Sequence, residues 1–195
     1  MAYVVLPAYD DSASQDVLSR ARDAANRALA LDSMNVLALT ALAYTDALEY
    51  RNASAERLFN RATAIDSTFA TAHFWRALLF LQQERNAEAL AEVTRARSLE
   101  PASLVINTAV TQVVYDMRRY DDAEKSGRAV LQLDPGFQLG VIDLAKVLIE
   151  RGKASEALNM VRPTLDVPGV SRLEKVGGSK TLKCADSARK GAVNE

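Results

Sequence analysis

The feature that most constrains this chain is a repeat. Ser33, Ser67, Pro101 and Pro135 lie 34 residues apart and close the similar segments ALALDS, ATAIDS, ARSLEP and LQLDP. Ala21, Ala55, Ala89, Ala123 and Ala157 keep the same interval. So do Leu31, Ile65, Leu99 and Leu133, two residues before the turn, with Asp32, Asp66, Glu100 and Asp134 between. Columns in register over five periods describe a chain assembled from like units that stack on their neighbours.

Each period reads as two helices. In the third, Ala70 to about Glu84 is apolar on most faces, Arg85-Asn86 breaks the pattern, and a second segment from Ala87 sets Ala89, Leu90, Val93, Ala96 and Leu99 at helical spacing. Pro101 then stops the helix, because proline lacks the donor and clashes with the preceding turn. No part of the repeating region alternates with a period of two, so no sheet is expected. The alanine columns imply close helix crossings, and the small residues Ala43, Ala77, Thr111 and Ala145 are expected to face them within each hairpin. The predicted fold is all-α, an α-α superhelix of antiparallel hairpins.

Composition narrows the function. The 195 residues are 49% hydrophobic, enough for a sizeable core, and 24 Lys and Arg against 25 Asp and Glu leave a net charge of -1. No global field draws such a chain to nucleic acid or to an anionic membrane. Cys184 is the only cysteine, so no internal disulfide and no thiol cluster is expected, and a cytoplasmic location fits best. The start, MAYVVLPAYDD, is apolar but lacks a basic flank and is too short to span a bilayer. Asn52-Ala53-Ser54 is assigned to a turn.

The only histidine, His73, is expected at the surface or in a groove. Asp10-Asp11 and Asp121-Asp122 read as helix-start charges that complement the helix dipole. Gly177-Gly178-Ser179-Lys180-Thr181 lacks phosphate-loop spacing and reads as linker, and Ser187-Ala188-Arg189-Lys190 has no companion motif. No catalytic, metal or cofactor constellation emerges, so no enzyme activity is expected.

The pattern resembles the tetratricopeptide repeat (TPR). The second unit supplies Leu39, Leu42-Ala43, Ala55, Phe59 and Ala62, with Ser67 where proline is usual; the third supplies Ala77, Phe80, Ala89, Val93, Ala96 and Pro101. The resemblance covers about residues 13 to 166. It implies a partial first repeat at 1–35, repeats at about 36–69, 70–103, 104–137 and 138–168, and a flexible tail at 169–195 with room for a capping helix. Tyr3 to Tyr9 would form a short helical piece ahead of a helix from about Ser14 to Leu31.

Departures from the family pattern carry their own expectations. Asp46 and Arg76 replace apolar or aromatic residues, and Trp75 sits two residues late, which predicts distorted packing or contacts outside the repeats. Gly127 replaces the aromatic of its helix and should loosen that hairpin. Pro163 should end the array.

The resemblance also implies a protein-interaction scaffold that holds a peptide or helix on a concave wall made by the first helix of each unit. Its groove positions fall on Thr40 and Tyr44, on Phe74, Leu78 and Leu81, on Thr108, Gln112 and Tyr115, and on Ile142, Lys146 and Ile149. Of these, Leu81 and Ile149 are as well explained as core. The wall is expected to be mostly apolar and to lack the Lys and Asn set that clamps a terminal carboxylate. The expected partner is a protein or peptide, from another chain or from an N-terminal domain of the same polypeptide, with no nucleic acid and no membrane. A weaker similarity of style is to repeat regions that follow a kinase, cyclase or DNA-binding domain in bacterial signalling proteins. There the repeats would serve as a regulatory segment. The tail adds six Lys or Arg against three Asp or Glu over residues 170 to 195, making it weakly basic.

Overall fold

Helix starts recur with the period of the sequence. The computed structural model describes residues 11–165, and among them are nine helices and no strand: α1 (Asp11–Leu31), α2 (Val36–Leu48), α3 (Asn52–Ile65), α4 (Ala70–Gln82), α5 (Asn86–Leu99), α6 (Leu104–Asp116), α7 (Tyr120–Leu133), α8 (Gln138–Glu150) and α9 (Ala154–Leu165). The chain divides into two compact units, residues 1–101 and 102–195. The tail from 169 and the segment Tyr3 to Tyr9 lie outside the described residues.

Two kinds of turn set the period. Between units, Asp32, Asp66 and Asp134 accept the backbone N–H two residues on, from Met34 (2.9 Å), Thr68 (2.8 Å) and Gly136 (2.8 Å). This aspartate turn explains the acidic column, because a short carboxylate can close the bend locally. Asn35 then caps α2 by accepting from the Ala38 amide. Within each hairpin the first helix ends on a residue with positive φ: Tyr50 (57°), Glu84 (59°), Arg118 (57°) and Gly152 (73°). The next amide reaches back to the last helical turn, as Arg51 does to the Asp46 carbonyl (2.8 Å) and Lys153 to that of Leu148 (2.8 Å). Only the last of the four uses glycine, so this column is hard to see in the sequence.

In the first unit, α1 packs on α2, α2 and α4 form hairpins with α3 and α5, and α3 and α2 both touch α4. Ala43 and Ala55 share one core cluster with Ala47, Phe59 and Leu79, and all but Ala47 are 1% exposed or less. The pairing of small columns across a hairpin is therefore met here. Burying Phe59 alone is worth about 2–3 kcal/mol. Ala21 is the exception in its column, being half-buried while Ala55, Ala89 and Ala123 are fully enclosed.

The polar departures find partners within this unit. Asp46, 4% exposed, accepts from Arg22 of α1 (2.7 Å) and pairs with Arg51 (3.0 Å), tying α1 to the hairpin turn. Arg76 pairs with Glu92 (3.4 Å) and lies over the Phe80 ring. His73 is not at the surface. It is 8% exposed, with Nδ1 2.7 Å from Glu92 and Nε2 3.1 Å from the Ser67 carbonyl, so the imidazole links α4 to α5 and to the preceding turn.

In the second unit, α6 pairs with α7 and α8 with α9, while α8 also touches α6 and α7. Its core joins Val141, Leu144, Ala145, Leu148, Ala157 and Val161. Gly127 does not loosen it: a Cβ there would sit 3.1 Å from Leu144 Cδ1 and 3.2 Å from Leu144 Cβ. The glycine makes room for α8, whose leucine takes the place of the missing aromatic. Asp121 and Asp122 lie in the first turn of α7, where negative charge suits the dipole. Pro163 lies inside α9, which runs on to Leu165, so the proline does not end that helix.

Glu124, 5% exposed, gathers the cations of this unit. Lys153 donates to both its oxygens at 2.9 Å, Arg128 donates at 2.7 Å, and Arg151 makes a further ion pair. These contacts hold its carboxyl well below the ordinary range, at about 2. In the first unit Arg85 bonds Glu56 (2.9 Å) at the same 29-residue separation. One clamp thus recurs in both units.

Candidate functional site

Helix spacing puts residues three or four apart on one stripe, and the first helix of each hairpin carries two stripes: one against its partner, one facing away. In the first unit the second stripe brings together Tyr44 of α2 and Trp75 of α4, with ring centroids 3.9 Å apart; Phe74 meets Trp75 at 4.5 Å. Tyr44, Trp75 and Leu78 are half-buried, and Leu37 and Leu48 stay 49% and 37% exposed beside them on α2. Burial pushes the Tyr44 hydroxyl above its usual pKa. This face is apolar and aromatic.

Three of the expected groove residues are not on a surface. Thr40 (0% exposed), Phe74 (7%) and Thr108 (2%) are buried, because α2 packs on α4 and α6 on α8 along that stripe. The hydroxyls of Thr40 and Thr108, at equivalent places in their units, have no hydrogen-bond partner among the described residues. Ile142 and Leu81 are half-buried, and Ile149 packs against the α8–α9 core, in line with its reading as core.

In the second unit the structure brings Gln112, Tyr115 and Lys146 together. They line an open cavity of about 90 Å³ between α6 and α8, together with Thr111, Asp116, Asp143 and Val147. Lys146 Nζ lies 2.8 Å from Asp143 Oδ1, and the Tyr115 hydroxyl is 3.4 Å from Glu150. The Tyr115 pKa is raised by burial and by the Glu150 charge. Burial also lifts the Asp116 carboxyl; Lys146 pulls it back and Asp143 pushes it further up. This face is polar and charged, which corrects the expectation of a mostly apolar wall.

Asp116 and Asp143 were missed by sequence reasoning, and Trp75, noted as a departure from the family pattern, was not placed in the groove. The repeat itself held the signal, since Trp75 and Asp143 occupy the same place two periods apart, in a column otherwise filled by Ala41 and Ala109. Among the described residues no group of three or more His, Cys, Asp or Glu is placed to hold a metal ion. Among the same residues no helix is long and apolar enough to cross a membrane.

No protein-family model and no curated protein matches the chain. Solved structures do. The chain is similar to PilF of Pseudomonas aeruginosa, with 19% identity, 96% of this chain and 87% of that one covered, and a TM-score of 0.70. It is similar to TTC0263, a thermophilic TPR protein of Thermus thermophilus, with 18% identity, 88% and 90% covered, and a TM-score of 0.73. A third is YrrB, a TPR protein with an unusual peptide-binding site, at 19% identity, 91% and 86% covered, and a TM-score of 0.62. These likenesses establish the fold as an all-α solenoid of TPR-type helix hairpins.

Proposed function

We propose that this chain is a protein-interaction scaffold that holds a peptide against the outward stripes of its first helices, and that it does no chemistry of its own. The observation that carries this reading is the convergence of Gln112, Tyr115 and Lys146 on one open cavity. A stabilising core has no use for a cavity lined by polar side chains, whereas a peptide brings groups that satisfy them. The aromatic face of Tyr44 and Trp75 supports it too, since large rings at a surface are the usual anchors of a partner. YrrB, with the same fold, has a peptide-binding site of its own.

The test is selection from a random peptide display library on the full chain, followed by affinity measurement with Tyr44→Ala and Tyr115→Ala. Binders are expected to lose about tenfold or more in affinity with one variant or the other, with melting temperatures within a few degrees of the parent. Binders indifferent to both variants would put the interaction elsewhere and sink the reading.

A further inference from the structure

Resting on that reading, we infer that the aromatic face of the first unit is the docking site of the chain's own segment 2–9, which folds back along α1 as an extended strap and occupies the groove a partner peptide would take. The outward stripe of α2 carries Leu37, Tyr44 and Leu48, and that of α4 carries Trp75, Leu78 and Gln82. Each of the six is exposed or half-buried, and none is charged. The charged and titratable groups elsewhere on these two helices are engaged: Asp46 with Arg22 and Arg51, Arg76 and the His73 ring with Glu92. An apolar surface without charges suits an uncharged apolar guest.

Two stretches of the chain lie outside residues 11–165, and one of them has that chemistry. Residues 2–9 read Ala-Tyr-Val-Val-Leu-Pro-Ala-Tyr, without a charge, whereas residues 170–195 carry six Lys or Arg and three Asp or Glu. The reach fits as well. Arg22 bonds Asp46 (2.7 Å) and Glu49 (2.9 Å), which sets it level with the end of α2, and α1 runs on from there to Asp11, a distance of about 16 Å. Tyr44 lies about 6 Å beyond Leu48 along α2, so a strap starting at Asp11 must span about 22 Å. Residues 2–9 span about 26 Å when extended and only about 12 Å as a helix. Asp10 alone is also too short a loop for a helix hairpin, which takes about two to five residues. Ala21 lies on the way. It is half-buried while Ala55, Ala89 and Ala123 are fully enclosed, which leaves room for a chain segment along α1.

A strap held in this way makes the groove available only in the fraction of molecules that have released it. The apparent affinity for any partner peptide falls by that fraction.

The experiment places a nitroxide on Ala2→Cys, with Cys184→Ser, in the full isotope-labelled chain and follows amide resonances by NMR. Selective broadening of Tyr44, Leu48 and Trp75 is expected, and its absence would overturn the strap. The same broadening in a mixture of spin-labelled chain without isotope and isotope-labelled chain without spin label would seat the segment on a second copy and overturn the fold-back. Val5→Asp with Leu6→Asp, which changes nothing in residues 11–165, should release the strap and move the Trp75 emission to the red. It should also tighten binding of Tyr44-dependent peptides from the display library at least about fivefold. Unchanged affinity would overturn the occlusion. Broadening combined with selected peptides indifferent to Tyr44→Ala and Tyr115→Ala would keep the strap and sink the peptide groove; Tyr44-dependent peptides without broadening would do the reverse.

Discussion

At the scale of single residues, Glu124 draws three cations, Arg128, Arg151 and Lys153, onto one buried carboxylate. Its carboxyl is depressed from 4.5 to about 2 by Lys153, with Arg128 and Arg151 adding to the effect. A depressed acid contributes stability that is complete above its unfolded value and disappears as pH falls through the folded one. The window here runs from about pH 4.5 down to about 2. Glu124→Gln should cost about 3 kcal/mol at pH 7, the low end for a broken buried pair because its cations remain partly exposed. The variant should also lose less stability than the parent between about pH 5 and about pH 3. Urea melts at both pH values check this, and parallel acid limbs would show that Glu124 is not the titrating group. None of this was legible beforehand. Glu124 is one of 25 acidic residues, and only the folded turn reveals that three cations point at it. His73 was misplaced for the same reason, since its partners Glu92 and the Ser67 carbonyl come from other elements.

At the scale of the helix, small residues at a fixed interval were readable because a helix crossing demands little volume at one point and repeats that demand in every unit. Ala55, Ala89 and Ala123 are fully enclosed as their register required. Enlarging Ala89 to Leu should therefore cost about 1–3 kcal/mol by overfilling the α4–α5 crossing. Ala21→Leu, at the half-buried member of the same column, should change stability by less than about 0.5 kcal/mol. Thermal melts of the two variants side by side decide it, and equal losses would mean that register, rather than burial, sets the cost. The glycine at 127 misled the sequence reading because an absent side chain was taken for an absent contact. In the folded unit Leu144 of the next helix fills that space, a substitution that single-helix patterns cannot show.

At the scale of the molecule, one fold carries two chemically different faces on its first helices. The repeat predicts where the outward stripes lie, yet it says little about what they hold, because Tyr44 and Trp75 meet in one unit while Asp116, Asp143 and Lys146 meet in the other. The two faces should respond oppositely to salt. Raising ionic strength from about 0.1 M to about 1 M shortens the screening length from about 10 Å to about 3 Å, which weakens charge pairing but leaves apolar contact intact. Trp75 is the only tryptophan, so its emission reports the aromatic face by itself. An amphipathic leucine-rich peptide should quench or shift that emission with an affinity that holds or tightens in high salt. Binding of a charged peptide held at the face of Gln112, Tyr115 and Lys146, followed through the Tyr115 amide, should weaken about tenfold or more over the same range. If the two titrations kept the same salt dependence, the faces would not differ in the forces they use, and the assignment of an apolar anchor to one unit and a charged one to the other would fail.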